Sequence, residues 1–338
     1  MMSTADDNNN VLQLGGSGEM MSSKNECDQN NIDNITKGIN SVTVSDVTSC
    51  ANCGKEGNSD DMNTCNKCKS VKYCNAACKK KHRKKHKKAC ERRVAELYEE
   101  ALFKEVEPEE CPICMLTMPF ETYTTTFQSC CGKLICNGCI YAMKISEGKD
   151  LCAFCRTPPT RSHEKNIKQL NKLMDKGNAE AFNMFGGWYR RGDMGLPQDD
   201  RKANELYLKA GELGCADGYY NSGLSYRDGN GVEADQEKAK HYYELAAMGG
   251  CLHARHNIGA IEYKAGNYQR AYKHFMIAAK AGYDDSLHNV KVGFKNGYVT
   301  KDDYTNSLRA YHERQKEMKS DERDNVEVHV NVARSRKM

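Results

Sequence analysis

From Glu91 to Val106, apolar residues Val94, Leu97, Tyr98, Ala101, Leu102 and Val106 recur at three- and four-residue steps. That spacing puts them on one face of a helix, so the pattern predicts a linker helix over 91–107, ended by Pro108 and Pro112. A second stretch, Ser162 to Met174, places Ile167, Leu170, Leu173 and Met174 on one side. Beyond it the chain repeats itself. Phe182–Gly214, Tyr219–Gly250 and Cys251–Gly282 are three copies, and Asp285–Tyr311 is a degenerate fourth. Corresponding residues stand 36 apart, as do Ala210 and Ala246, Gly214 and Gly250, and Gly223 and Gly259. A fixed period of this length, with two helical stretches per unit, predicts a stacked α-solenoid. Gly186, Gly223, Gly259 and Gly293 would let paired helices approach closely, and Asp199 and Asp235 stand where N-caps are expected.

The two ends of the chain lack such order. Residues 1–48 are rich in Asn, Ser, Asp, Gly and Thr without any period, which predicts disorder. Glu313–Asp324 should prolong the last helix and then fray into a charged tail over 313–338. Within that tail Val326, Val328, Val330 and Val332 alternate with polar residues and leave a strand open. The repeats themselves resemble Sel-1-like repeats, relatives of tetratricopeptide repeats, over roughly 178–312 of a helical region spanning 162–312. Its third unit lacks the G-x-G-V loop of its neighbour, and solenoid ends are commonly atypical because they face water.

Composition adds a second theme. The chain has 18 cysteines, and 15 of them with one histidine fall into two consecutive sets of eight. The first is Cys50, Cys53, Cys65, Cys68, Cys74, Cys78, His86 and Cys90. The second is Cys111, Cys114, Cys130, Cys131, Cys136, Cys139, Cys152 and Cys155. Closely spaced pairs of soft thiolates with one imidazole are what tetrahedral structural zinc requires, so about four Zn²⁺ per chain are expected. No apolar run reaches the ~18 residues that span a bilayer, and the N-terminus lacks a secretory pattern. An intracellular protein, cytoplasmic or nuclear, is expected, and there dense cysteine pairs mark metal sites rather than disulfides.

Charge is unevenly spread. Between Cys50 and Arg93 there are 14 Lys and Arg against four Asp and Glu, while the whole chain carries only +4. Eight of the ten residues from Lys79 to Lys88 are Lys or Arg. Such a run reads as a solvated basic face or as a nuclear-import or nucleic-acid patch. The absence of interleaved aromatics argues against nucleic acid.

The spacing of the first set, with Val71 and Tyr73 before Cys74, resembles a MYND-type zinc finger over 50–90. The resemblance implies one zinc on Cys50, Cys53, Cys74 and Cys78 and another on Cys65, Cys68, His86 and Cys90. His82, four residues before His86, is the alternative imidazole. MYND-type fingers bind protein partners, but Lys79 and Arg83 stand where the family commonly carries Gln and Trp for peptide contact. The second set, from Cys111-Pro112-Ile113-Cys114 to Cys152-x2-Cys155-Arg156, resembles a RING-type finger over 111–156. Lys133 occupies the place of a usual histidine ligand, and Cys130 is the thiol that can complete an all-cysteine variant. The resemblance implies a surface for a ubiquitin-conjugating enzyme that includes Ile113, Met143 and Phe154, with Arg156 steadying ubiquitin. It implies no catalytic nucleophile.

The expected fold is thus mainly α: two small zinc-stabilised cross-brace modules followed by an α-solenoid. Two function classes stay open. One is a ubiquitin ligase whose repeats recruit substrate, and the other is a non-enzymatic zinc-finger scaffold or adaptor. No sequence typical of a methyltransferase flanks the first module.

Overall fold

The computed structural model describes residues 47–120, 124–148, 150–160 and 162–326. The expected disorder of 1–46 and the valine alternation beyond Val326 lie outside the described residues. The segment assigned to disorder ends two residues too late, because β1, Val47–Ser49, pairs antiparallel with β2, Glu56–Asn58. A second short ladder joins β3, Asn63–Thr64, to β4, Lys72–Tyr73.

The long helix α1, Ala76–Leu102, corrects the expectation of a separate linker helix. Asn75 caps its start by accepting from the amide of Cys78, and the helix then runs without a break through the basic stretch and most of the apolar face read over 91–106, leaving Val106 outside it. It stops at Leu102, well before Pro108. The reason lies far away in sequence. Arg255, 1% exposed, donates to the carbonyls of Leu102 (2.7 Å) and Lys104 (3.3 Å) at the end of α1. It also donates to the carbonyl of Ala247 (2.6 Å). A guanidinium at a helix C-terminus satisfies orphan carbonyls and suits the dipole.

The second small module holds the hairpin β5, Thr125–Gln128, and β6, Lys133–Cys136, with Thr126 opposite Ile135. Helix α2, Asn137–Glu147, follows directly. Then comes the helical array: α3 (His163–Asp175), α4 (Ala179–Arg191), α5 (Asp200–Glu212) and α6 (Ala216–Asp228). It continues through α7 (Gln236–Met248), α8 (Leu252–Lys264), α9 (Tyr268–Lys280), α10 (Asp284–Lys295) and α11 (Lys301–Glu317). Each helix packs on the next, as a solenoid requires.

The sequence signals explain this packing locally. Asp199 accepts from the amide of Lys202 (2.9 Å) and Asp235 from that of Lys238 (3.0 Å), so both are N-caps. The phased glycines each face a ring on a neighbouring helix. A methyl group placed on Gly186, Gly223 or Gly259 would lie 2.6–2.7 Å from the ring of Tyr207, Tyr243 or Phe275, and Gly293 meets Tyr272 in the same way. Around these contacts sit two apolar clusters. Leu170, Phe185, Trp188 and Tyr207 belong to one, and Tyr272, Phe275 and Val290 to the other. Cys215 and Cys251, which belong to neither zinc set, are buried at matching positions before α6 and α8. Burial pushes both thiols well up, so they act as packing residues.

The end of α1 lies against this array. Tyr98 donates to Glu244 (2.5 Å), Arg270 pairs with Glu99, and Lys280 pairs with Glu105 at 2.9 Å. Phe103 packs on the buried ring of His274, centroids 4.6 Å apart, beneath the cations of Arg270 and Lys273.

Candidate metal centres

Four of the ligand pairs sit on short turns that share one construction. In the turns beginning at Cys50, Cys65, Cys111 and Cys152, the carbonyl of that cysteine accepts from the amide four residues on, at 2.9–3.0 Å. The donors are Gly54, Lys69, Met115 and Arg156, and all four have positive φ, between 52° and 74°. The amide of the same cysteine then closes the loop onto Lys55, Val71, Leu116 or Thr157. The left-handed residue bends the chain so that both thiols of the pair face one point. It costs roughly 1–2 kcal/mol for a residue with a Cβ, and three of the four turns accept that cost.

Five of the remaining eight ligands come from regular elements. Cys78, His86 and Cys90 project from α1, while Cys136 ends β6 and Cys139 lies in the first turn of α2. Together the sixteen residues form four groups whose ligand atoms lie within 4.8 Å of one another. They are Cys50, Cys53, Cys74 and Cys78; Cys65, Cys68, His86 and Cys90; Cys111, Cys114, Cys136 and Cys139; and Cys130, Cys131, Cys152 and Cys155. Both modules interleave in the same way, with the first and third pairs in one group and the second and fourth in the other.

Distances test the fit to zinc. A tetrahedron with Zn–S near 2.3 Å has S···S edges of about 3.8 Å. Cys53 and Cys74 are 3.7 Å apart, Cys65 and Cys90 3.8 Å, Cys114 and Cys136 3.8 Å, and Cys131 and Cys152 3.8 Å. His86 presents Nε2 at 3.2 Å from Cys68. His82 instead holds Tyr73 through Nδ1 (3.2 Å), outside the group. Cys130 turns inward, 3.4 Å from Cys155. Lys133 points away, with its Nζ 5.7 Å from the centre of the Phe154 ring.

Electrostatics asks for a cation in each group. Burial opposes ionisation of Cys65, yet the amides of Cys68 and Lys67 and the His86 ring outweigh it and bring that thiol down to about 6. Burial and the neighbouring Cys65 then push Cys90 up to about 12. Thiols this close cannot all ionise unless a positive ion joins them. In the first module seven thiolates around two Zn²⁺ leave three negative charges. The lysines of the basic run stand on the same helix, α1, that carries Cys78, His86 and Cys90, and most of them are exposed.

The residues assigned to a partner surface are only partly gathered. Ile113, 38% exposed, and Met143 line a groove of about 460 Å³ with Leu116, Ala142 and Ala153. Arg156 donates to the Met143 sulfur at 3.1 Å, beside that groove. Phe154 is 46% exposed but does not line it. Two groove residues, Ser320 and Glu322, come from beyond α11. The segment expected to fray is instead helical over 321–326 and lies on the second module. No local period marks that contact.

Comparison with known proteins agrees with this architecture. Residues 50–90 match the MYND finger family, and 181–215, 216–251 and 256–283 match the Sel1 repeat family. A sel1-like repeat-containing protein of Acanthamoeba polyphaga mimivirus is 35% identical over 63 residues, 19% of this chain and 12% of the relative. A Sel1 repeat protein from Oxalobacter formigenes has 26% identity and a TM-score of 0.40 over 45% of this chain and 64% of its own. A protective antigen of uropathogenic Escherichia coli with an SLR fold has 27% identity and a TM-score of 0.38, over 45% of this chain and 33% of its own. The chain therefore spans only part of the relatives it matches. It carries a MYND finger and Sel1 repeats, which makes it a zinc-binding protein of the protein-interaction class. Among the described residues no helix is long and apolar enough to cross a membrane.

Proposed function

We propose that this chain is a RING-type ubiquitin ligase of the cytoplasm or nucleus, in which all sixteen grouped residues hold zinc. The second module recruits a ubiquitin-conjugating enzyme, and the Sel1 repeats hold the substrate. The observation that carries the reading is the groove between the Cys111–Cys114 turn and α2. Its lining is mostly apolar, with Ser146, Ser320 and Glu322 as the polar members, its mouth includes exposed Ile113, and Arg156 stands beside Met143 at its edge. A small apolar concavity with one cation at its rim suits an apolar loop of a protein partner. The all-cysteine set at Cys130, Cys131, Cys152 and Cys155 supports the reading as well, since it supplies the ligand that Lys133 does not.

The chemistry asked of the module is modest. It offers no nucleophile; the conjugating enzyme supplies the thioester and the substrate its lysine. Ile113 and Met143 would bind the enzyme, Phe154 would extend that contact, and Arg156 would restrain ubiquitin in an attackable pose. Purified protein incubated with ubiquitin, activating enzyme and a panel of conjugating enzymes should build polyubiquitin. Ile113→Ala and Arg156→Ala should each abolish this while zinc content stays unchanged. A wild-type chain inactive across a broad panel would favour the scaffold, with finger and repeats each gripping a protein.

A further inference from the structure

Beyond α11 the chain turns back onto the second zinc module. Ser320 starts a short helical turn, accepting from the amide of Arg323 on its Oγ (3.3 Å) and from that of Asp324 on its carbonyl (2.9 Å). That turn rests on the first residues of α2. A methyl group placed on Gly138 would lie 2.7 Å from Cγ of Arg323 and 3.0 Å from its backbone nitrogen, so only glycine admits the approach. From there the Arg323 side chain reaches the turn that carries Cys114. Its Nη1 donates to the carbonyls of Thr117 (2.7 Å) and Met318 (2.6 Å). Its Nη2 points at the carbonyl of Leu116 and the sulfur of Cys114, each at 3.4 Å. Nε is buried without a partner, and no carboxylate pairs with this guanidinium among the described residues.

A half-buried guanidinium with a buried, unpartnered Nε and no carboxylate beside it is drawn to another source of negative charge. The nearest is the group formed by Cys111, Cys114, Cys136 and Cys139, where four thiolates around one Zn²⁺ leave two negative charges. Donors outside the ligand sphere orient ligands and tune how tightly the ion is held. We propose that Arg323 is a positioning residue for this third metal site. It fixes the Cys114 turn against α2 and offsets the thiolate charge, which makes the segment after α11 a working part of the zinc module. This inference needs zinc in the site but does not need the ligase reading.

The test uses the full-length zinc-loaded chain, titrated with chelators of graded strength while released zinc is counted with a metallochromic dye. Arg323→Met should weaken the site of Cys111, Cys114, Cys136 and Cys139 by on the order of 10–100-fold, with any coupled change confined to the second module and the two sites of the first module left alone. Arg323→Lys, which keeps the cation, should fall between Met and wild type. A chain ending at Lys319 should match Arg323→Met. In cobalt-substituted protein, the thiolate-to-metal charge-transfer band of one site should shift in Arg323→Met. Wild-type affinity at all four sites in both Arg323→Met and the shortened chain would overturn the proposal. So would loss of all four ions together, because that reports general unfolding.

Discussion

The two halves of this chain are built on different physics. In the zinc region, the buried clusters consist almost wholly of ligands. Tyr73 is the one other buried member of the first and Ile135 of the second. In the solenoid, the buried clusters are aromatic and aliphatic, and the phased glycines let rings approach the neighbouring backbone. A module of some 40 residues cannot bury enough apolar surface to fold alone. Zinc stands in for the missing core there, at roughly 10–16 kcal/mol of apparent binding energy per site. The solenoid needs no such substitute, since each unit covers the apolar face of the next.

That contrast can be broken from either side. The largest effect should come from a ligand. Cys152→Ser should lower zinc content, read by native mass spectrometry, from four ions to two. The interleaved pairs of the second module would fail together while the first module keeps its ions. Such a change should leave the hydrogen-exchange protection of α6–α9 as it is in the wild type, whereas Trp188, the sole tryptophan, can report the loss because Phe127 of β5 packs on its cluster.

His274 sharpens the contrast next, because it is a charge-sensitive group that zinc does not touch. Its ring is fully buried with both nitrogens unpartnered. Burial, with Arg255 and Arg270 nearby, lowers its pKa from 6.5 to about 3. The unfolded chain therefore takes up the proton more readily than the folded one. Stability should fall as pH drops below about 6.5, by up to about 1.4 kcal/mol per unit. Denaturant melts followed at Trp188 should show this slope, and His274→Phe should flatten it. A smaller effect is expected at Gly223, where a methyl group would meet the Tyr243 ring at 2.6 Å. Gly223→Ala should cost about 1–3 kcal/mol by overpacking, read as a lower midpoint at Trp188 with four zinc ions still bound.

How much of this was legible in the sequence follows from the same contrast. Ligand pairs and 36-residue phasing are short-range or periodic signals, so the metal sets, the solenoid and the Asp199 and Asp235 caps could be read directly. The joints between them could not. Arg255 reaches a carbonyl 153 residues earlier in the chain, and Arg323 reaches a sulfur 209 residues earlier. Neither contact leaves a period or a motif. For the same reason the apolar pattern carries the linker helix to the prolines, where the structure ends it under Arg255. The left-handed residues Lys69, Met115 and Arg156 were equally hidden, since their identities give no hint of a positive φ.

The most direct test is hydrogen exchange on the full-length chain before and after a strong chelator. With zinc removed, amides of β1–β6 and the first turns of α1 and α2 should lose protection, while those of α6–α9 stay unchanged. Protection that persists across 47–156 in the metal-free chain would contradict the account.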